Sequence, residues 1–132
     1  MTNSEIKILI ADDDEEILEL LTIVLKSEGF QVFTAMNGRV AVSSAKKNNP
    51  HLILLDVMMP EMDGPTTLSH LRNIAATAQV PVIFMTAKVQ QNEVAHYLSL
   101  GAIGVVSKPF DPMTLVKQIN EILAPLGSGI GA

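Results

Sequence analysis

The chain of 132 residues is 48% hydrophobic and 17% charged, with a formal net charge of -5, a composition typical of one globular domain. It has no apolar run long enough to span a bilayer, no secretory signal in its first residues, and no cysteine for a disulfide or thiolate metal site. The nine Lys and Arg residues are spread thinly along the chain. We therefore expect a cytoplasmic protein that binds neither a membrane nor nucleic acid directly.

Short aliphatic and β-branched runs alternate with longer segments of helical periodicity, strand first and helix second, five times along the chain. This order predicts a parallel sheet. The predicted strands cover residues 6–11, 31–35, 51–56, 80–86 and 103–108. Three of them are nearly continuous apolar runs, as strands covered by helices on both faces are.

The intervening segments predict five helices. The first is indicated by an apolar stripe at i, i+4, i+7 and i+8, formed by Ile17, Leu21, Val24 and Leu25, and Gly29 is placed to end it. The other four are predicted over 38–47, after the Asp-Gly-Pro sequence with Pro65 in the first turn, over 90–100, and from 111 to about 123. We expect one domain over 1–124 and a flexible tail or linker start over 125–132, because that segment is rich in glycine.

Polar residues follow the predicted strands at the point where each strand ends. Strand 1 ends in Asp12 and Asp13, strand 3 in Asp56, strand 4 in Thr86 and strand 5 in Lys108. The carboxyl ends of parallel strands meet at one edge of a sheet, where binding sites form. Any one of these residues alone has a structural explanation as a cap, a turn residue or a surface charge. Together they favour a functional site.

Capping accounts for the rest of the acidic run that follows strand 1. Asp14, Glu15 and Glu16 fall in the first turn of the predicted helix, where they complement its dipole. Capping explains at most one of Asp12 and Asp13.

The chemistry of this residue set points to phosphate and a divalent metal. Three converging carboxylates repel one another unless a cation neutralises them, and an all-oxygen site suits Mg2+. An ammonium and a hydroxyl at the same edge would bind oxygens of a phosphoryl group, and one carboxylate would accept that group as nucleophile.

Four sequence segments carry a resemblance to a known family: ILIADDDEEI, LILLDVMMPEMDG, VIFMTA and GAIGVVSKPF. In this order and at these strand ends, they resemble bacterial two-component response-regulator receiver domains of the chemotaxis-regulator type. The resemblance extends from about residue 7 to residue 123. It implies an α/β, flavodoxin-like, doubly wound parallel sheet of five strands in the order 2-1-3-4-5, with five helices.

The resemblance also assigns roles to the site residues. Asp56 would accept the phosphoryl group, and Mg2+ would be bound by Asp13 directly, by Asp12 mostly through water, by Asp56 and by the backbone carbonyl of Met58. The side chains of Thr86 and Lys108 would bind oxygens of the acyl phosphate, and the Lys108–Pro109 bond would be cis.

By the same resemblance, the protein is a signalling switch with weak catalytic activity of its own. It would take a phosphoryl group from a sensor histidine kinase or a histidine phosphotransfer protein and later hydrolyse its acyl phosphate. The face formed by the fourth helix, the fifth strand and the fifth helix would bind a downstream effector, and Ile23 on the first helix could help to dock the donor.

One position departs from the family pattern. Val105 stands where relatives commonly have Tyr or Phe, three residues before the lysine, so the usual aromatic readout is in doubt. Tyr97 is the only tyrosine, and its pattern predicts a half-buried packing residue. We predict no catalytic role for the three histidines, His51, His70 and His96.

Three other classes stay open at this point. A pseudo-receiver would bind partners without phosphorylation, but it would usually lack an Asp or the Lys. A haloacid-dehalogenase-type phosphatase would need an Asp-x-Asp motif and room for a cap domain. A flavodoxin-like nucleotide site would need a phosphate-binding first loop, whereas this loop is acidic. The sequence specifies neither the kinase, nor the output, nor whether an effector domain follows.

Overall fold

Five parallel strands form one sheet with helices on both of its faces. The computed structural model describes residues 2–87 and 90–127, with the backbone alone for 125–127. The strands are β1 (Lys7–Ala11), β2 (Gln31–Ala35), β3 (Leu52–Asp56), β4 (Val82–Thr86) and β5 (Gly104–Ser107). Their spatial order is β2-β1-β3-β4-β5, and all four neighbouring pairs are parallel, which confirms the predicted fold class and strand order.

A helix follows each strand, as predicted. The helices are α1 (Glu15–Ser27), α2 (Gly38–Asn48), α3 (Gly64–Arg72), α4 (Gln91–Ser99) and α5 (Pro112–Gly127). A short 3-10 turn, Asn3–Glu5, precedes the sheet. No helix in the described ranges is both long and apolar enough to cross a bilayer.

The helix ends follow the local sequence. The side chains of Asp14, Asn37 and Asp63 cap α1, α2 and α3 by accepting hydrogen bonds from backbone N–H groups of the first turn. Pro65 lies in the first turn of α3, and Gly29 follows α1 with a φ of 97°, so both predictions are confirmed.

Element boundaries differ from the prediction by a few residues. β4 begins at Val82 instead of residue 80, because Pro81 has no N–H to donate to the sheet. α5 continues to Gly127, so its backbone enters the predicted tail, and residues 128–132 lie outside the described part of the chain.

The core has two halves, one on each face of the sheet. On one face, β1 and β3 side chains pack with the apolar stripes of α1 and α5; on the other they pack with α2, α3 and α4. Neighbouring strand residues alternate between the two halves: Leu54 belongs to the first and Leu55 to the second. All five residues of β3 and of β4 are buried, which explains why these strands are continuous apolar runs.

Candidate functional site

The strand register brings the predicted polar residues to one edge of the sheet. Asp56 is the last residue of β3 and pairs with Met85, so Thr86 lies one position beyond it on the neighbouring strand. Thr86 in turn pairs with Ser107 of β5, the residue before Lys108. Asp12 follows β1 directly, beside the end of β3. Four strands therefore deliver their terminal side chains to the same place.

These residues line one open cleft of about 480 Å3. Its lining consists of Asp12, Asp13, Asp14, Asp56, Met58, Thr86, Ala87 and Lys108. All the predicted site residues are among them. The sequence predicted a capping role for Asp14, and its side chain does accept a hydrogen bond from the N–H of Glu16. The same residue also borders the cleft.

Lys108 forms an ion pair with two buried carboxylates at once. Its Nζ atom lies 2.7 Å from Oδ2 of Asp12 and 3.0 Å from Oδ1 of Asp56. Burial acts to lower the pKa of Lys108, but the hydrogen bonds and charges of both carboxylates outweigh it and raise that pKa above its usual value. The ammonium is therefore a permanent positive charge in the cleft.

A single ammonium does not balance the carboxylates around it. Burial raises the pKa of Asp56, the charges of Asp12 and Asp13 act in the same direction, and Lys108 only partly opposes them. The ionised site therefore carries an excess of negative charge that a further cation would neutralise.

The donor set suits a hard divalent cation. One carboxylate oxygen from each of Asp12, Asp13 and Asp56 lies within 4.8 Å of the other two. Oδ2 of Asp12 is buried, and Lys108 is its only described polar partner. Oδ1 of Asp12 accepts from the N–H of Asp14 at 2.9 Å, which fixes the carboxylate. Mg2+ prefers carboxylate oxygens and water as ligands, and the three carboxylates supply the first kind. Asp13 is exposed, so water can reach the site.

A backbone hydrogen bond places Lys108 beside Thr86. The N–H of Lys108 donates to the carbonyl of Thr86 at 2.9 Å, which extends the pairing of β4 and β5 by one residue. The Lys108–Pro109 peptide bond is cis, as the resemblance implied.

Sequence reasoning missed the role of Gly64. A Cβ at this position would lie 2.5 Å from the carbonyl oxygen of Asp56 and 2.9 Å from Cα of Val57. The N–H of Gly64 also donates to the carbonyl of Val57 at 2.9 Å. The start of α3 therefore supports the end of β3 through a close contact that only glycine permits, and its signal in the sequence was the Asp-Gly-Pro turn.

The remaining candidates lie away from the cleft. Tyr97 is buried, with its ring centroid 5.2 Å from that of Phe84, so the predicted packing role is confirmed, with deeper burial than expected. Val105 pairs with Phe84 across β4 and β5 and packs, partly buried, on the same core half. None of the three histidines lines the cleft. Nδ1 of His51 accepts from the N–H of Lys7, at the opposite edge of the sheet.

Comparison with known proteins identifies the family. Residues 8–120 match the response regulator receiver domain family. The chain belongs to this family. As a receiver domain it is part of two-component signalling, and the phosphatase and nucleotide-site alternatives have no support from this match.

Relatives of this receiver domain include longer proteins. It is 38% identical over 117 residues to the DNA-binding response regulator MtrA of Mycolicibacterium smegmatis, covering 89% of this chain and 50% of that protein. It is 34% identical over 116 residues to the response regulator SaeR of Staphylococcus aureus, covering 88% and 50%. The chain thus spans about half the length of these relatives.

A solved structure of a single receiver protein matches this chain over nearly the whole length of that protein. The chemotaxis protein CheY4 of Vibrio cholerae superposes with a TM-score of 0.85 at 30% identity, covering 89% of this chain and 98% of that one. MtrA is a DNA-binding protein of about twice this length, and that this receiver domain itself binds no nucleic acid stays a prediction.

Proposed function

We propose that this receiver domain is a phosphorylation-activated switch in which Asp56 accepts a phosphoryl group in the presence of Mg2+. The observation that carries the proposal is the contact of Lys108 with both Asp56 and Asp12, in a cleft that holds a third carboxylate. The donor would be a phosphohistidine on a sensor histidine kinase or phosphotransfer protein, or a small acyl phosphate.

The transfer step uses groups that already face the cleft. An oxygen of Asp56 attacks phosphorus as the bond from phosphorus to the donor breaks. A leaving imidazole takes a proton from solvent, whereas the carboxylate that leaves an acyl phosphate stays ionised. Mg2+, when bound by Asp12, Asp13, Asp56 and the carbonyl of Met58, would neutralise charge on the phosphoryl oxygens. Lys108 would exchange its contact with Asp56 for one with a phosphoryl oxygen, and the hydroxyl of Thr86 would bind another.

The same cleft would also limit the lifetime of the phosphorylated state. Its opening to solvent admits water, which attacks phosphorus and regenerates the Asp56 carboxylate and inorganic phosphate. The small side chain of Ala87 at the cleft border leaves room for that approach.

The output would run through the face formed by α4, β5 and α5. Movement of Thr86 toward the phosphoryl group would shift the loop between β4 and α4. Val105 occupies the position of the family aromatic, so the change would be transmitted by repacking of a small aliphatic side chain against Phe84.

An intact-mass measurement tests the proposal against the pseudo-receiver. The protein is incubated with acetyl phosphate and Mg2+, and we expect one phosphoryl adduct that disappears with a chelator and in Asp56→Asn. Asp111→Asn is the matched control, because it makes the same change at an exposed carboxylate that accepts a hydrogen bond from the N–H of Met113 and lies outside the cleft.

A second probe is needed if this protein does not react with acetyl phosphate. Beryllium fluoride with Mg2+ should form a complex that fluorine NMR detects in wild type and not in Asp56→Asn. If neither the adduct nor the complex forms, the pseudo-receiver replaces the proposal.

A further inference from the structure

Basic residues are concentrated on two helices that pack against each other, α2 and α3. Helices α2 and α3 contain four of the nine Lys and Arg residues and none of the Asp and Glu residues, in a chain whose net charge is -5. Three of the four lie on α2, but the contact between α2 and α3 was not visible in the sequence, because β3 separates the two helices along the chain.

Three of these four cations surround one groove between α2 and α3. The groove has a volume of about 470 Å3 and is lined by Arg39, Val42, Ser43, Lys46, Lys47, Met62 and His70. Val42 and Met62 are partly buried and form an apolar floor, whereas the three cations and His70 are exposed around it. We call this surface the α2–α3 groove.

The cations of the groove form no ion pair with the described residues, among which the salt bridges are those of Lys108. No lining residue of the groove is acidic. Glu61 lines a small neighbouring cavity together with Arg39, so the unpaired positive charge is carried mainly by Lys46 and Lys47. The fourth cation, Arg72, points elsewhere and donates to the carbonyl of Val80. The groove therefore presents uncompensated positive charge around an apolar floor.

We propose that the α2–α3 groove docks an acidic amphipathic segment of a partner protein, with its apolar side chains on Val42 and Met62 and its carboxylates at the rim. Charge complementarity selects an anionic occupant, and the apolar floor selects one with hydrophobic side chains as well. A nucleic acid is disfavoured, because three rim cations offer few phosphate contacts and the apolar floor would stay uncovered. A second copy that docked through its own groove would bring the same cations together, and like charges would repel.

This surface is separate from the phosphoryl cleft. The two share no lining residue: the groove is formed by α2, α3 and Met62 of the loop before α3, whereas the cleft is formed by strand ends and the residues that follow them. Docking at the groove is therefore expected in the unphosphorylated protein, and its test is independent of the chemistry at Asp56.

The test is an NMR titration, which maps weak binding to individual residues. The nitrogen-15-labelled, unphosphorylated protein is titrated with a synthetic amphipathic peptide that carries Glu on one helical face and Leu on the other. We expect saturable amide shifts concentrated at the groove residues of α2 and α3, which weaken as salt is added. Shifts centred on another surface, or none at millimolar peptide, would overturn the proposal.

Charge reversal provides the matched variants. Lys46→Glu/Lys47→Glu should weaken peptide binding by roughly tenfold or more, because it places two like charges opposite the carboxylates. Lys26→Glu/Lys117→Glu makes the same change in net charge at exposed residues of α1 and α5 and should change affinity by less than about twofold. Circular dichroism checks that both variants are folded. An equal loss in the two variants would contradict a specific groove.

Further probes decide between classes of occupant. A Glu/Ser peptide without apolar side chains should bind several-fold more weakly, and equal binding would contradict the role of the apolar floor. Vesicles of phosphatidylglycerol and a single-stranded oligonucleotide are titrated in parallel. If either perturbs the groove residues more strongly than the amphipathic peptide does, the assignment to a protein partner is wrong.

Discussion

The ammonium of Lys108 is shared between Asp12 and Asp56, and this sharing sets the electrostatics of the cleft. Two buried carboxylates face one cation, and the third carboxylate, Asp13, is exposed at their side. The raised pKa of Asp56 has the same origin, in burial and in the neighbouring negative charge. A divalent cation should therefore stabilise the folded protein.

Thermal unfolding measures this stabilisation. Mg2+ at about one hundred times its dissociation constant should increase the free energy of unfolding by ~2.7 kcal/mol, because it binds the folded state alone. Asp13→Asn should remove most of that increase while changing the metal-free stability by less than about 0.5 kcal/mol, as is usual for an exposed residue.

Glu19→Gln is the charge-matched control, because Glu19 is exposed on α1 and outside the cleft. It should keep the full response to Mg2+. A response that is absent from wild type, or that falls equally in both variants, would contradict a metal site at these carboxylates.

Gly64 fixes how closely α3 approaches the end of β3. Gly64→Ala would place a methyl group against the backbone of Asp56 and Val57, so we expect a loss of about 1–3 kcal/mol in the free energy of unfolding. Urea denaturation measures the loss.

Gly104→Ala is the control for the same chemical change. A Cβ there would meet Cδ1 of Ile122 at 3.6 Å and Cγ1 of Ile83 at 3.9 Å, which are ordinary contacts. If Gly104→Ala proves as damaging as Gly64→Ala, the close approach of α3 to β3 is not the reason for the glycine.

At the scale of elements, one side chain joins the end of α3 to the segment before β4 and to the turn after α4. Nη1 of Arg72 donates to the carbonyl of Val80 at 2.8 Å, and Nη2 lies 3.4 Å from the carbonyl of Gly101. Burial lowers the pKa of Arg72, but a guanidinium stays charged at neutral pH. The side chain thus ties α3 to the start of β4 and to the turn before β5.

Removal of this link should loosen both loops. Arg72→Met keeps most of the aliphatic stem, and we expect it to lower the free energy of unfolding by about 1–3 kcal/mol, because the carbonyl of Val80 loses its charged donor. Hydrogen exchange should also accelerate in the turn at residues 100–102.

Arg39→Met on α2 is the matched control, since Arg39 is exposed and the described residues give it no ion pair. Its effect should stay within about 0.5 kcal/mol. Equal effects of the two substitutions would show that the loss of charge, and not the link, determines stability.

Element type and order were predictable from sequence, whereas contacts between elements were not. β3 and β4 are fully buried, and their continuous apolar runs showed this directly. The start of β4 was predicted two residues early, because apolar residues surround Pro81 while the missing N–H sets the boundary. The shared ammonium of Lys108 and the α2–α3 groove depend on distances between separate segments, which periodicity does not encode.

At the scale of the whole molecule, the fold separates two surfaces of opposite charge. The strand ends gather carboxylates around Lys108, and the α2–α3 groove gathers cations around an apolar floor. The sheet between its two core halves holds both surfaces in fixed positions. We propose that Asp56, among the three neighbouring carboxylates of the first surface, receives the phosphoryl group.

Chemical trapping of the acyl phosphate tests this claim most directly. The protein is incubated with acetyl phosphate and Mg2+, treated with borohydride, which reduces an aspartyl phosphate to homoserine, and analysed by peptide mass mapping. The account predicts homoserine at position 56 and nowhere else. Homoserine at position 12 or 13, or a phosphoryl adduct that yields no homoserine, would contradict it.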